Sequence, residues 1–298
     1  MSAQVMPTTT VHKPQQWLKD LIELTKPRLS MLVLLTATGG LALSGKDYTL
    51  TLAFATIFGT TLVVAGANTL NNYLERESDQ YMARTANRPL PSGRMAPITA
   101  LLSGLALSAV SIFLLTFLAN PITGLLAAIA LVLYVVVYTP LKRRSSFNTM
   151  VGAIPGAMPP LIGWTAATGS IDPGGLALFA LLFLWQIPHS LAIAIYRRTE
   201  YDRAGIVLLP SAFGEELTRR QIFLHTLAVL PVPLILVHMG IAGTLTFLIG
   251  TVLGLWWLRT AWDGYTNKKG AKWARKFFLG SLVYLSGLFV TLTVDMIV

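Results

Sequence analysis

Apolar residues come in long blocks along this chain, with polar residues gathered in the short stretches between them. From residue 29 onwards each block is about 17–25 residues long, the length at which a helix crosses the hydrocarbon of a bilayer. Inside hydrocarbon a helix satisfies its own backbone hydrogen bonds, whereas an open sheet does not. The pattern predicts spans at about 29–45, 49–69, 97–118, 121–140, 148–168, 174–195, 221–240, 242–260 and 277–297. The expected fold is therefore all-α, a polytopic membrane bundle of about nine transmembrane helices around a central cavity. Residues 1–25 are polar and lack the apolar core of a cleavable signal peptide. They read as a flexible cytoplasmic tail, followed by one transmembrane domain over 26–298.

Composition agrees with this pattern. Hydrophobic residues make up 54% of the chain and charged residues only 12%, about half the charged share of a soluble domain. There is no cysteine, which excludes a disulfide framework, a thiolate nucleophile and a cysteine metal site. The net charge of +10 raises the question of nucleic acid, but the placement of the charge answers it. Apart from Lys46, every Lys and Arg falls in the N-terminal arm, in an even-numbered connection, or at Arg259 at the end of the eighth span. Such an asymmetry is a topology signal that puts the N-terminus in the cytoplasm. No nucleic-acid partner is expected; the partner is membrane lipid, and the cytoplasmic mouth is basic enough to suit an anionic substrate.

The outer connections are short, and the two long ones, 70–96 and 196–220, each open on acids and arginines. This recurrence after four spans hints at a duplication, and paired elements of two repeats often build one central site. In the first, "NNYLERESDQYMARTANRPLPSG", Asn71, Glu75 and Asp79 stand at i, i+4 and i+8. At about 3.6 residues per turn they share one helical face. Carboxylate and carboxamide oxygens suit Mg²⁺, which binds through a few carboxylates plus substrate phosphates. Arg84 and Arg88 follow at the same spacing, and guanidinium matches phosphate oxygens. The pattern fits a metal–diphosphate site. It fits equally a solvated helix end, with Glu75–Arg76 or Asp79–Arg84 as surface ion pairs worth little. "YRRTEYDRAG" and "YTPLKRR" (Tyr138 to Arg144) read first as an ordinary cytoplasmic loop and a basic helix end.

The stretch from Asn71 to Pro89 resembles the first aspartate-rich signature of the UbiA-type intramembrane prenyltransferases. "YTPLKRR", "GAIPGAMPPLIGW" and "LWQIPHSLAIAIYRRTEYDRAGIVLLP" resemble the branch of that family that farnesylates haem, and the resemblance covers nearly the whole chain. It implies transfer of a farnesyl group from farnesyl diphosphate to a vinyl group of haem B, with addition of water, giving haem O and diphosphate. It further implies Mg²⁺ as cofactor, a site facing the cytoplasm at a bacterial inner membrane, and handover of product to a haem A synthase or terminal oxidase. Carried over by position, Asn71, Glu75, Asp79 and Glu200 are the catalytic metal–diphosphate ligands. Arg84, Arg88, Lys142, Arg143, Arg197 and Tyr201 hold the diphosphate. Three positions depart from the family pattern. Ser78 stands where an apolar residue is usual, Val207 replaces a proline, and Glu200 replaces an Asp.

Within the spans, a histidine is a functional candidate by default. His189 in "WQIPHS" is a candidate contact to the haem substrate through a ring nitrogen, or a hydrogen-bonding partner of a neighbouring helix; His225 and His238 are weaker candidates. Trp164, Trp185, Tyr134, Tyr138 and Phe183 are candidates to face a farnesyl cation, though each also reads as packing. Pro155, Pro159 and Pro160 remove backbone donors from the fifth span and are expected to kink it. The competing functions are prenylation of a quinone precursor or chlorophyllide, and a transporter with acids along its path.

Overall fold

The computed structural model describes residues 14–297, and among them there is no strand. The helices are α1 (Pro14–Leu24), α2 (Pro27–Leu43), α3 (Leu50–Glu75), α4 (Pro97–Leu114), α5 (Pro121–Val132), α6 (Thr139–Leu141) and α7 (Asn148–Thr168). They continue as α8 (Pro173–Tyr196), α9 (Arg198–Arg203), α10 (Leu209–Val229), α11 (Val232–His238), α12 (Thr244–Thr266) and α13 (Ala271–Asp295). A π-helical turn, Leu115–Ala119, extends α4, and a second, Leu133–Tyr138, joins α5 to α6.

Seven rods are long and apolar enough to cross a membrane: α3, α4 with its extension, α5 through α6, α8, α10 through α11, α12 and α13. The remaining two expected spans are helical too, over the predicted residues. The apolar part of α2 is shorter, Ser30–Leu43, and α7 is not among the seven. The chain is thus an integral, multi-pass membrane protein. Large apolar side chains such as Phe54, Leu102, Phe113, Leu125, Val252 and Val283 remain exposed on the outside of the bundle, as a lipid-facing surface requires.

Short outer connections work because polar side chains cap the helices they join. Thr49 accepts the Leu52 N–H at 3.2 Å, Asn120 accepts the Thr123 N–H at 2.9 Å, and Asp172 accepts the Gly174 N–H at 2.9 Å. The α12 start is capped from another helix, with Asp295 Oδ2 accepting the N–H groups of Gly243 and Thr246 at 2.9 and 2.8 Å. Each cap satisfies a donor that the helix start leaves free.

At the centre, α7 packs against α2, α5 and α8, while α8 packs against α10 and α13. Close approach of α2 and α7 depends on two glycines: a Cβ at Gly40 would overlap the Pro160 carbonyl, and one at Gly163 the Ala37 carbonyl. The prolines do not break α7, which is continuously helical over Asn148–Thr168. Without N–H groups, Pro159 and Pro160 leave the carbonyls one turn earlier, at Pro155 and Gly156, without their helical partner.

Two expectations need correction. Part of the supposed flexible tail is the helix α1, docked by the buried Leu24 and by Asp20, which accepts from Arg94 Nε at 3.1 Å. Residues 1–13 lie outside the described residues. The seventh span is not one plain helix: a short helical piece from Leu209 precedes it, kinked at Gly214 (φ 85°), and the rod is interrupted near Pro231 before α11.

Because the α2–α7 contact is backbone against backbone, Gly163→Val has no flexible neighbour to displace. Overpacking of this kind costs about 1–3 kcal/mol or more. Thermal unfolding in one detergent should show a lower Tm for Gly163→Val, while Leu35→Val on the exposed face of α2 leaves it nearly unchanged.

Candidate active site

The last turns of α3 are unusually polar for a membrane helix. Asn68 donates to the Thr25 carbonyl at 3.1 Å, and Asn72 to the Leu24 carbonyl at 2.9 Å. These two amides fasten the elbow between α1 and α2, where Lys26 adopts a left-handed backbone at φ 52°. The elbow sends the Lys26 side chain inward, and its Nζ donates to Asn71 Oδ1 at 2.8 Å. Burial, then the nearby Arg88 charge, push the Lys26 ammonium down to a pKa of about 7.

Helix α3 ends at Glu75, and Asp79 lies on a 3₁₀ turn, Ser78–Tyr81. The single helical face expected for Asn71, Glu75 and Asp79 is therefore interrupted, yet all three line one cavity of about 370 Å³. Ser78 opens that turn, and its buried hydroxyl donates to the Glu75 carbonyl at 3.0 Å. An apolar residue there would leave that carbonyl open.

Each carboxylate is met by a cation from elsewhere. Lys142 Nζ, just past α6, donates to Glu75 Oε1 at 2.7 Å and sits 4.6 Å from the Tyr138 ring centre. Arg88 Nη1 donates to Asp79 Oδ2 at 2.7 Å and to Asn72 Oδ1 at 3.2 Å. Arg84 reaches the cavity over the Tyr201 ring at 5.8 Å, and burial raises the Tyr201 phenol, keeping it a neutral donor. Four cationic side chains (Lys26, Arg84, Arg88, Lys142) and two carboxylates line the cavity, so it holds excess positive charge for an anion.

The second polar stretch contributes less than its resemblance implied. Tyr201 lines the cavity, but Glu200, Arg197 and Arg143 do not. Arg197 Nη1 donates to both Glu200 oxygens at 2.9 and 3.0 Å, and Glu200 lies 3.8 Å from Arg84 Nε. Arg143 is exposed. Among the described residues no three acids or histidines come together as a metal cluster, so Glu200 does not join Glu75 and Asp79. His189 is also outside the cavity lining, bonded to Ser281 of α13.

Val207 has a structural role that proline could not fill: its N–H donates to the Lys142 carbonyl at 2.8 Å. Asn148 Nδ2 donates to the Val207 carbonyl at 2.6 Å. These bonds hold the 206–208 strap against the segment that carries Lys142.

Sequence reasoning missed Lys26, Asn148, Gln186 and Ser190, all of which line the cavity. For Lys26 the available signal was a lysine directly before Pro27 at the start of a span. Of the aromatic candidates, Tyr134 and Tyr138 line the cavity, whereas Trp164, Trp185 and Phe183 pack in or against the core. Tyr134 and Gly156 are shared with a second cavity of about 240 Å³, lined mainly by apolar residues including Val33, Val63, Leu131 and Met158.

A cationic cavity beside an apolar one, inside a helical membrane bundle, suits an amphipathic ligand with an anionic head. The chain belongs to the UbiA prenyltransferase family, whose family model matches residues 33–283. It is 48% identical to the protoheme IX farnesyltransferase of Anaeromyxobacter dehalogenans over 292 residues, covering 98% of this chain and 99% of the relative. It is likewise 48% identical to the enzyme of that name from Myxococcus xanthus, covering 93% of this chain and 94% of the relative. Among solved structures, a UbiA homologue from Aeropyrum pernix aligns with TM-score 0.74 at 20% identity, covering 90% of this chain and 98% of that one. A UbiA homologue from Archaeoglobus fulgidus bound to GPP and Mg²⁺ aligns with TM-score 0.64 at 15% identity, covering 92% and 99%.

The Lys142–Glu75 pair is mostly buried, with 17% and 13% of the side chains exposed. Removing one partner strands the other charge, at a cost on the order of 3 kcal/mol. Lys142→Met should therefore lower the Tm of the ligand-free protein, and adding Glu75→Gln should recover part of the loss. Equal destabilisation by the single and double variants would show that the pair is not coupled.

Proposed function

We propose that this chain transfers the farnesyl group of farnesyl diphosphate to a vinyl group of haem B, with addition of water, giving haem O and diphosphate. The observation that carries the transfer chemistry is that the cationic cavity adjoins the apolar one, with Tyr134 and Gly156 in the lining of both. The acceptor is supported by the names of relatives that are 48% identical over nearly the whole chain. The quinone-precursor, chlorophyllide and transporter readings have no comparable support.

In the proposed reaction the diphosphate head lies among Lys26, Arg84, Arg88 and Lys142, and the isoprenoid tail fills the apolar cavity. Asn71, Glu75 and Asp79 fit a divalent cation whose other ligands come from the substrate: two carboxylates and a carboxamide oxygen converge on one cavity, and phosphates complete such sites. The solved homologue that holds GPP with Mg²⁺ supports the choice of metal. When bound, Mg²⁺ supplies neutralising charge for the leaving group. The cationic side chains stabilise the negative charge that develops as the allylic C–O bond breaks. Tyr134 and Tyr138 present aromatic faces to the allylic cation, and the apolar walls keep water from it. The farnesyl C1 then bonds to the terminal vinyl carbon, water adds at the carbon next to the macrocycle, and a proton is lost. No covalent enzyme intermediate is needed. Glu200 and Arg197 position Arg84, and Arg143 adds to the positive potential at the mouth.

The same reading places the cavity and the N-terminus on the cytoplasmic side of a bacterial inner membrane, supported by the distribution of Lys and Arg. Residues 26–298 act as one domain, and haem O passes on to a haem A synthase or terminal oxidase.

Membranes containing the protein, incubated with haem B, farnesyl diphosphate and Mg²⁺, should accumulate haem O measured by chromatography and mass; its absence rejects the acceptor. Chelation of divalent cations should abolish the product. Glu75→Gln and Asp79→Asn should each lower kcat on the order of 10²-fold or more, the scale of losing one electrostatic contact to a transition state. Full activity in either variant would remove that residue from the site.

A further inference from the structure

His189 lies on α8 between Gln186 and Ser190, two residues that line the reaction cavity. It is half-buried, with the Trp185 and Phe278 rings at 4.6 and 4.8 Å between centres. Its Nδ1 is 2.7 Å from the hydroxyl of Ser281, a fully buried residue on α13. That hydroxyl is itself 2.6 Å from the Phe278 carbonyl. Two oxygens at that separation need a proton between them, and a serine hydroxyl has only one to give. The Ser281 proton is therefore committed to Phe278, and the proton between Ser281 and His189 has to come from Nδ1. The imidazole is held as the Nδ1–H tautomer, and Nε2 carries a lone pair with no hydrogen-bond partner among the described residues.

A buried ring nitrogen fixed as donor, with the other left as a free base, is the arrangement that protein scaffolds use to present histidine to a metal. We infer that Ser281 is a positioning residue that locks the His189 tautomer and presents Nε2 to the iron of the haem substrate. Iron ligation beside Gln186 and Ser190 would bring the edge of the macrocycle to the cavity where the allylic carbon is released. The inference rests on the proposed haem-farnesylating function and adds the group that holds the acceptor. Haem is a substrate that must leave, so a single ligand on one face is the fitting arrangement. His225 is the competing ligand, because its Nδ1 is 2.9 Å from the Gln221 carbonyl and it lines an apolar cavity of about 390 Å³. That contact is made within its own helix, one turn away, and helical histidines reach it without any ligand. Ser281 instead comes from a different helix, and Trp185 Nε1, donating to the Ser281 carbonyl at 2.9 Å, holds it in register.

The test uses the full chain in detergent, titrated with haem B and read by Soret absorption and by the iron–histidine stretch in resonance Raman spectra of the ferrous complex. The wild type should show the stretch, and His189→Ala should lose it. Ser281→Ala should weaken haem binding about tenfold, the lower end of the range for removing such a supporting partner, and shift the stretch. Ser281→Thr, which keeps the hydroxyl, should restore both, and each variant's Tm reports whether it has folded. An unchanged stretch and affinity in folded Ser281→Ala, or a stretch lost in His225→Ala but kept in His189→Ala, overturns the inference. Haem O formation by a wild type without any iron–histidine stretch overturns the inference while leaving the reaction intact. A wild type that forms no haem O overturns the reaction and the inference with it.

Discussion

The site depends on one electrostatic constraint: two carboxylates at the end of a membrane helix must be neutralised by cations, one of them brought from a distant part of the chain. An unpaired carboxylate in so little water is costly enough to protonate or to unfold its surroundings. Glu75 is met by Lys142 across 67 residues, and Asp79 by Arg88 on the turn that follows it. Asn71, the neutral member, takes Lys26 from the elbow before α2. These contacts fix where α2 enters the bundle, where α3 stops and where the segment after α6 lies. The charged residues of the cavity thus also tie these helix ends together.

The consequence for the fold is a division of labour between the two faces of the membrane. At the outer ends, short loops are closed by local caps at Thr49, Asn120 and Asp172. At the opposite ends, the connection after α9 is bonded to the neighbouring segment, Val207 donating to the Lys142 carbonyl and Asn148 to the Val207 carbonyl. The two polar connections meet where Arg84 approaches Glu200 and Tyr201, in keeping with the recurrence seen between the halves of the chain, but they do not contribute equally. The first supplies both carboxylates of the cavity; the second supplies Tyr201 and, through Glu200, a hold on Arg84.

Hydropathy revealed the rods because a bilayer permits so few structures, and the acid spacing pointed to Asn71, Glu75 and Asp79, which line one cavity although their helix ends before Asp79. What stayed hidden depended on backbone geometry or on long-range pairing. The 3₁₀ turn opens at Ser78, and spacing alone cannot say where a helix stops. Lys26 enters the cavity only because a left-handed residue and two asparagine amides turn the chain there. The resemblance assigned Glu200 to metal, yet its two oxygens are held by Arg197, a partner three residues away that any surface helix would also allow. The sequence ranked His189 above His225 and His238, but which ring nitrogen His189 leaves free is set by the Ser281 contact.

Pairing acids with cations before substrate arrives has a direct effect on binding in the proposed reaction. An empty site of like charges would have to be desolvated and held apart by the fold, whereas here the opposing groups already satisfy one another. A diphosphate entering with a divalent cation exchanges like for like: phosphate oxygens replace carboxylates around Lys142 and Arg88, and the metal replaces ammonium and guanidinium around Glu75 and Asp79. Either ion alone would leave one set of partners stranded in a poorly solvated cavity. The four-to-two excess of cationic side chains over carboxylates biases the exchange towards the anion, and burial, then the neighbouring Arg88 charge, makes Lys26 the most easily discharged of the four. In the proposed reaction, the force that makes the buried acids tolerable is thus the one that would favour a metal-bearing diphosphate over a bare anion or a free metal.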